Sequence, residues 1–318
     1  MKVPGRIGLS VLVAFLTVSL CCGEAWGVSD KARAVVHHAK GLSYHEKGQW
    51  DKAIAEYNKA IELNPEYADA YNNRGLAYQG KGKFDQAISD FSKAIELNPK
   101  FAEAYFNRGL VYQDKGQFDQ AISDFSKAIE LNPRFAEAYF GRGVAYADGK
   151  GQYDQAIASF TKAIELDPKF AVAYSNRGLA YVRKGQYHQA ISDCNKALEI
   201  NPRYAEAYNN RGYAYGVKGQ FDRAISDYNK AIKLNPRYAR AYHNLGGAYY
   251  RKGQYDQAIS DYTKAIELDP KFAEAYSNRG LAYLDLAQFD HGCQDLQKAC
   301  ELGLCKGLVW ARRQVLCQ

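Results

Sequence analysis

Residues 68–101 read ADAYNNRGLAYQGKGKFDQAISDFSKAIELNPKF, and residues 102–135 return as AEAYFNRGLVYQDKGQFDQAISDFSKAIELNPRF. In the first copy Tyr71, Gly75 and Tyr78 fall at i, i+4 and i+7 and share one helical face. Lys81, Gly82 and Lys83 break that periodicity. Phe84, Ala87, Ile88, Phe91, Ala94, Ile95 and Leu97 then form a second apolar stripe at helical spacing. Asp85 lies in the first turn of this second helix, where the macrodipole favours negative charge. Asn98-Pro99 ends it, because the residue before a proline is pushed out of the α region. The stretch predicts two antiparallel helices joined by short turns.

The pattern extends in both directions. Pro65, Pro99, Pro133, Pro168, Pro202, Pro236 and Pro270 are 34 residues apart, except that Pro133 and Pro168 are 35 apart. The extra residue lies within 147–151, which the pattern places between two helices, where an insertion costs little. Eight units follow: 34–67, 68–101, 102–135, 136–170, 171–204, 205–238, 239–272 and 273–306. Residues 28–33 lead into them, and 307–318, with Trp310, read as a capping helix. Glycine inside a helix costs ~1 kcal/mol relative to alanine. Yet Gly41, Gly75, Gly109, Gly143, Gly178, Gly212, Gly246 and Gly280 recur at one offset, which close approach of the second helix explains. One helix pair cannot bury both its faces, so the units must stack.

Tyr71-x2-Arg74-Gly75-x2-Tyr78, followed by Ala87-x3-Phe91 and Pro99, resembles the tetratricopeptide signature. The resemblance covers residues 34–306. End units depart from it: His37 replaces a tyrosine in the first, and Gly292, Leu296 and Leu304 replace alanine, aromatic and proline in the eighth. The resemblance implies an all-α, right-handed superhelical solenoid. Its first helices are expected to line a concave groove that binds extended peptides or partner helices.

One groove-facing offset then holds Asn73, Asn107, Gly141, Asn176, Asn210, Asn244 and Asn278. An asparagine amide offers two donors and an acceptor, so a row of them can grip a peptide backbone whatever its sequence. The alternative is that asparagine is consensus filler. The next offset holds Arg74, Arg108, Arg142, Arg177, Arg211 and Arg279, with Leu245 the exception. These are either a basic binding stripe or internal ion pairs with Asp90, Asp124, Asp193, Asp227 and Asp295. Repeat four has Ser159 in place of the aspartate, and repeat seven has Asp261 but no arginine, so each should leave one charge to find another partner. Asp69, Glu103, Asp114, Glu137 and Asp148 are expected to face the groove in its first half, and Arg183, Arg240, His243 and Arg251 in its second. They either orient a charged peptide or are scatter at variable positions.

The net charge of +7, from 42 basic and 35 acidic residues, is spread along the repeats and does not argue for nucleic acid. Lys2, Arg6, the apolar run Ile7–Leu20 and the small residues Gly23, Ala25 and Gly27 lay out a secretory signal over 1–27. An uncleaved anchor and a lipoprotein through Cys21 or Cys22 are the other readings. After cleavage no membrane span is expected, and the mature chain would be periplasmic or secreted. Cys293, Cys300, Cys305 and Cys317 crowd the end of the chain, where an oxidising compartment would pair them as 293–317 and 300–305; reduced packing residues are the alternative. Cys194 takes the offset of Phe91 and Phe125 and reads as a buried free thiol.

No phosphate loop, nucleophile elbow or paired-carboxylate motif is present, and no cofactor is called for. His37, His38 and His45 read as a solvated amino-terminal cap rather than a metal site. The expectation is an exported, non-catalytic scaffold with a protein or peptide ligand. Its rival is a self-assembling structural or envelope-assembly component.

Overall fold

The structure, a computed structural model, describes residues 29–314, 316 and 317. The expected signal over 1–27, with Cys21 and Cys22, lies outside the described residues. Among the described residues there are 17 α-helices, one π-helical turn and no strand. They form two compact units, one ending at Lys150 and one starting at Gly151.

The first unit holds α1 (Asp30–Glu46), α2 (Trp50–Leu63), α3 (Ala68–Gly80), α4 (Phe84–Leu97), α5 (Ala102–Asp114), α6 (Phe118–Leu131), α7 (Ala136–Val144) and the π turn Ala145–Gly149. The second unit holds α8 (Tyr153–Leu166), α9 (Ala171–Arg183), α10 (Tyr187–Ile200), α11 (Ala205–Val217) and α12 (Phe221–Leu234). It continues through α13 (Ala239–Arg251), α14 (Tyr255–Leu268), α15 (Ala273–Asp285), α16 (Phe289–Glu301) and α17 (Lys306–Arg313). Within each unit a repeat's second helix packs on its own first helix and on the first helix of the next repeat. First helices also touch one another along α1, α3, α5 and α7, and along α9, α11, α13 and α15. First helices therefore lie closer together than second helices and line the inner face of each unit.

Local chemistry sets the punctuation. Asn98 stands at φ −135° and ψ 88°, and its Oδ1 accepts the Lys100 N–H at 3.1 Å. This Asx turn closes a helix that proline forbids from continuing. Asp167 and Asp269 make the same turn with Lys169 and Lys271. Between the paired helices Gly82 sits at φ 70° with open space around it. Its role is therefore the left-handed backbone conformation. The eighth repeat has Ala287 at that point, with φ 58°, a conformation that costs an L-residue about 1 kcal/mol.

The glycines inside the helices serve close packing. A Cβ on Gly75 would stand 2.8 Å from the fully buried Phe91 ring, and one on Gly109 would stand 2.9 Å from Phe125. Cys194 occupies the same offset in repeat five, buried and free, and burial pushes its thiol up to about 12.

The extra residue does not sit between the helices. It is absorbed inside the first helix of repeat four, as the π turn Ala145–Gly149. One widened turn takes the insertion and keeps Gly151, at φ 61°, at its usual place in the connection. Phe118 fills the space at Gly149, where a Cβ would stand 2.1 Å from the ring.

At the far end Leu308 and Ala311 of α17 bury against Leu284 and Leu296. The helix stops at Arg313, so Cys317 lies in the tail beyond it and does not end it. Cys317 is bridged to Cys293 with a Cα–Cα separation of 5.5 Å, and Cys300 is bridged to Cys305. The first bridge ties the tail to α16. No described helix is long and apolar enough to cross a membrane.

Candidate functional site: the inner face

Five asparagines of the inner-face row, Asn73, Asn107, Asn210, Asn244 and Asn278, are held by the repeat before them. In the first unit Asn107 Nδ2 donates to Asn72 Oδ1 at 3.0 Å. Asn72 Nδ2 donates to Asn73 Oδ1 at 3.4 Å, and Asn73 Nδ2 donates to His38 Nε2 at 2.7 Å. In the second unit Asn278 Nδ2 donates to His243 Nε2 at 2.9 Å, and His243 Nδ1 donates to Asn244 Oδ1 at 3.4 Å. Asn244 donates to Asn209 Oδ1 at 2.9 Å, Asn209 to Asn210 Oδ1 at 3.4 Å, and Asn210 to Ser175 Oγ at 3.0 Å. Two directed relays of side-chain hydrogen bonds result, one in each unit.

Both histidines act as acceptors at Nε2, which requires neutral rings with the proton on Nδ1. Burial lowers the pKa of each, opposed weakly at His38 by Asp69 and at His243 by Asn244. In His38 the Nδ1 proton reaches the Tyr67 hydroxyl at 3.1 Å.

The acceptor residues Asn72, Ser175 and Asn209 are buried. Sequence reasoning missed them, although a polar residue recurring immediately before the asparagine was the available signal. Asn176 departs from the relay. The acceptor offset of repeat four is Phe140, a side chain without an acceptor. Asn176 instead donates to the Val172 carbonyl of its own helix at 2.9 Å. Gly141, the gap in the row, is where the Phe125 ring packs, 2.9 Å from the position a Cβ would take.

The arginines point the other way, between the two helices of a repeat. Arg74 Nε and Nη2 donate to Asp90 Oδ2 and Oδ1 at 2.7 and 2.6 Å, and Nη1 donates to Asn58 Oδ1 at 2.7 Å. The Tyr71 and Tyr78 rings flank the guanidinium at 5.4 and 6.0 Å. Arg108–Asp124, Arg177–Asp193, Arg211–Asp227 and Arg279–Asp295 repeat the bidentate geometry at 2.7–2.9 Å. In repeat four Arg142 donates to Ser126 Oγ at 3.3 Å and lies over the Tyr139 ring.

Repeat seven is the reverse case. Leu245 packs among Ala224, Tyr228 and Ala248, and Asp261 pairs with no cation among the described residues. Burial alone raises its pKa to about 6. A carboxyl raised above its unfolded value of 3.8 binds more protons folded than unfolded. It therefore lowers stability as pH rises from about 4 to 6 and leaves a constant penalty above that. Asp261→Asn is expected to raise the urea midpoint at pH 7 and leave it unchanged at pH 3.5. An equal gain at both values would show that Asp261 does not titrate in this way.

The expected groove charges divide. His243 is a neutral relay member and not a surface cation. Arg183 and Arg251 lie over the Tyr213 and Phe221 rings, each at 5.9 Å. The amino-terminal histidines are not solvated either. His37 Nδ1 pairs with Glu56 Oε2 at 2.7 Å, His38 belongs to the relay, and His45 packs edge-on against Trp50. Among the described residues no group of three potential ligands is placed to hold a metal ion.

Stacked helix pairs with a polar inner row define a class of protein-binding repeat scaffold. Profiles described as TPR repeat match residues 41–82, 150–185, 217–253 and 247–286. Profiles described as Tetratricopeptide repeat match 68–101, 102–135, 171–204, 125–158, 194–226 and 273–302. Together they run from residue 41 to residue 302, and the chain belongs to the tetratricopeptide repeat family.

It is 38% identical over 50 residues to the tetratricopeptide repeat domain-containing protein PYG7, chloroplastic, of Arabidopsis thaliana. It is 46% identical over 41 residues to an uncharacterized protein of Methanocaldococcus jannaschii. These stretches are 16% and 13% of this chain and span only 17% and 48% of those proteins.

Among solved structures, the Cut9–Hcn1 hetero-tetramer of the APC/C superposes with a TM-score of 0.65 at 20% identity, over 93% of this chain and 56% of that one. A tetratricopeptide repeat protein from Parabacteroides merdae gives 0.66 at 20% identity, over 78% and 98%. Pseudomonas aeruginosa pilF gives 0.56 at 22% identity, over 65% and 94%. These likenesses concern the fold.

Proposed function

We propose that this chain is an exported, non-catalytic scaffold that holds an extended segment of a partner protein on the inner face of its first helices. The relay is the observation that carries this reading. An amide has two N–H groups and an oxygen with two lone pairs. Asn73 and Asn244 each use one donor and one acceptor within the relay. One donor and one acceptor remain on each, the complement of a peptide unit. The relay fixes the amides beforehand, so a ligand does not have to order them.

Export is supported by the signal-like first 27 residues and by two disulfides, which persist in oxidising compartments. The partner is a protein or peptide, with no nucleic acid and no cofactor.

A photo-crosslinking amino acid in place of Leu179, on the inner face, is compared in cells with one in place of Lys196, on the exposed side of α10. Capture of a partner at 179 and not at 196, by a mature chain that begins near Trp26 or Val28, is the expected result. Capture confined to 196 would remove the groove reading, and an intact Met1 on a soluble cytoplasmic chain would remove export.

A further inference from the structure

Two positions on the inner face of the second unit are glycine where the other repeats carry bulk. The offset of Gly247 holds Leu76, Leu110, Val144, Leu179, Tyr213 and Leu281 elsewhere. The offset of Gly216 holds Gln79, Gln113, Ala147, Val182, Tyr250 and Leu284. Their absence opens a cleft of about 320 Å³ walled by Tyr213, Val217 and Phe221. A smaller recess of about 180 Å³ adjoins it through Gly247 and Arg251, walled by Tyr250 and Leu281.

The floors of both are hydroxyls. Repeats two to four place Phe91, Phe125 and Phe160 at the second-helix ring offset, but repeats six and seven place Tyr228 and Tyr262 there. These side chains are 3% and 1% exposed. Their hydroxyl oxygens lie 3.6 and 3.8 Å from the positions a Cβ would take on Gly216 and Gly247, inside the two openings. Neither hydroxyl has a hydrogen-bond partner among the described residues. Unlike a sealed hydroxyl, each reaches an opening that a ligand can enter, so a ligand can supply its hydrogen-bond partner. Tyr57 carries the same hydroxyl in repeat one, but there it is sealed in the core.

The rim is cationic. Arg251 lines both openings, and Arg183 stacks on the Tyr213 wall. Neither guanidinium is within ion-pair distance of a carboxylate among the described residues, whereas Arg74, Arg108, Arg177, Arg211 and Arg279, between the paired helices, all have an aspartate partner. The Asp285 carboxylate beside the recess is occupied by the Tyr250 hydroxyl at 2.6 Å.

We infer that repeats six and seven form a specificity pocket for an acidic peptide. One apolar side chain of the peptide enters the notch at Gly216 and Gly247. Its backbone pairs with the Tyr228 and Tyr262 hydroxyls, and flanking carboxylates meet Arg183 and Arg251. This deepens the groove reading and rests on it.

Gly247→Ala separates a binding role from a structural one. The added methyl sits at ordinary contact distance from Tyr262, and alanine is the better residue in a helix interior. The variant should thus be at least as stable as the parent with a narrowed notch. The probes are fluorescein-labelled nonapeptides in a Gly/Ser frame, read by anisotropy on the full mature chain. One carries a central Glu-Phe-Asp, one Gln-Phe-Asn, one Glu-Ala-Asp, and one ends in Phe with a free carboxylate.

The parent is expected to bind Glu-Phe-Asp about tenfold more tightly than Gln-Phe-Asn or Glu-Ala-Asp. Gly247→Ala removes the preference for Phe without lowering the unfolding midpoint, and Arg251→Gln removes the preference for carboxylates. The terminal-carboxylate probe shows whether a side chain or a chain end supplies the charge. Equal binding of all probes, no binding, or preferences that survive both substitutions would overturn the pocket. So would self-association of the chain that Arg251→Gln abolishes, which would make the notch a contact between copies. If cross-linking at position 179 still captures a partner in any of these cases, the pocket alone is wrong and the groove stands.

Discussion

Phe125→Ala is expected to destabilise the first unit by about 4 kcal/mol, the middle of the range for removing a buried ring. The ring is fully buried, and it lies against two repeats at once. It fills the space over Gly109 in its own repeat and over Gly141 in the next, at 2.9 Å from each would-be Cβ, and its centroid is 5.8 Å from that of Phe106. Neither glycine has a side chain that can move in, so the cavity cannot collapse cheaply. Because repeat arrays behave as a sum of local and nearest-neighbour terms, the damage should be local. Hydrogen exchange should accelerate in α6 and α7 together and leave α1 and α2 unchanged. A loss below about 1 kcal/mol in denaturant unfolding would show that the neighbouring rings repack.

Asp193→Ala is expected to cost about 3 kcal/mol, because it strands the guanidinium of Arg177 between two helices. The Arg177 side chain is only 15% exposed and that of Asp193 10%. Arg177 donates to Asp193 at 2.7 and 2.8 Å and to Thr161 at 3.0 Å, with Tyr174 and Tyr181 on either side. The double variant Arg177→Leu with Asp193→Ala should cost much less than the sum of the single ones. Repeat seven already shows that leucine is accepted at this offset, as Leu245 is buried there. Additive effects in a double-mutant cycle would mean that the pair is not an interior one, and the arginines would again be candidates for a binding stripe.

Much of the fold was legible because a 34-residue period leaves few choices. Proline fixed the helix ends, glycine fixed both the turn and the close approach, and apolar spacing fixed which face is buried. The arginine–aspartate pairing was also readable, since both residues recur at constant offsets, and so was its breakage at Ser159 and Leu245. The relay was not. It joins a residue of one repeat to the residue 35 positions earlier, as in Asn107 to Asn72 and Asn278 to His243. Composition at the asparagine offset says nothing about which way an amide turns. His243 and His38 show the same limit: a histidine on a first helix reads as solvated, and only the packed neighbours make it a buried neutral acceptor.

By itself, then, the sequence determined the repeat, the helix pairs and the family, because each follows from local spacing within one or two units. The tertiary structure decided where the extra residue went, since only the Phe118 ring against Gly149 and the kept turn at Gly151 make a π turn the favourable place for it. It also decided which polar groups are already satisfied and which are not. Hydrogen bonds and cavities belong to the space between repeats, so the open hydroxyls of Tyr228 and Tyr262 and the unpaired Arg251 appear only when successive helices are packed side by side.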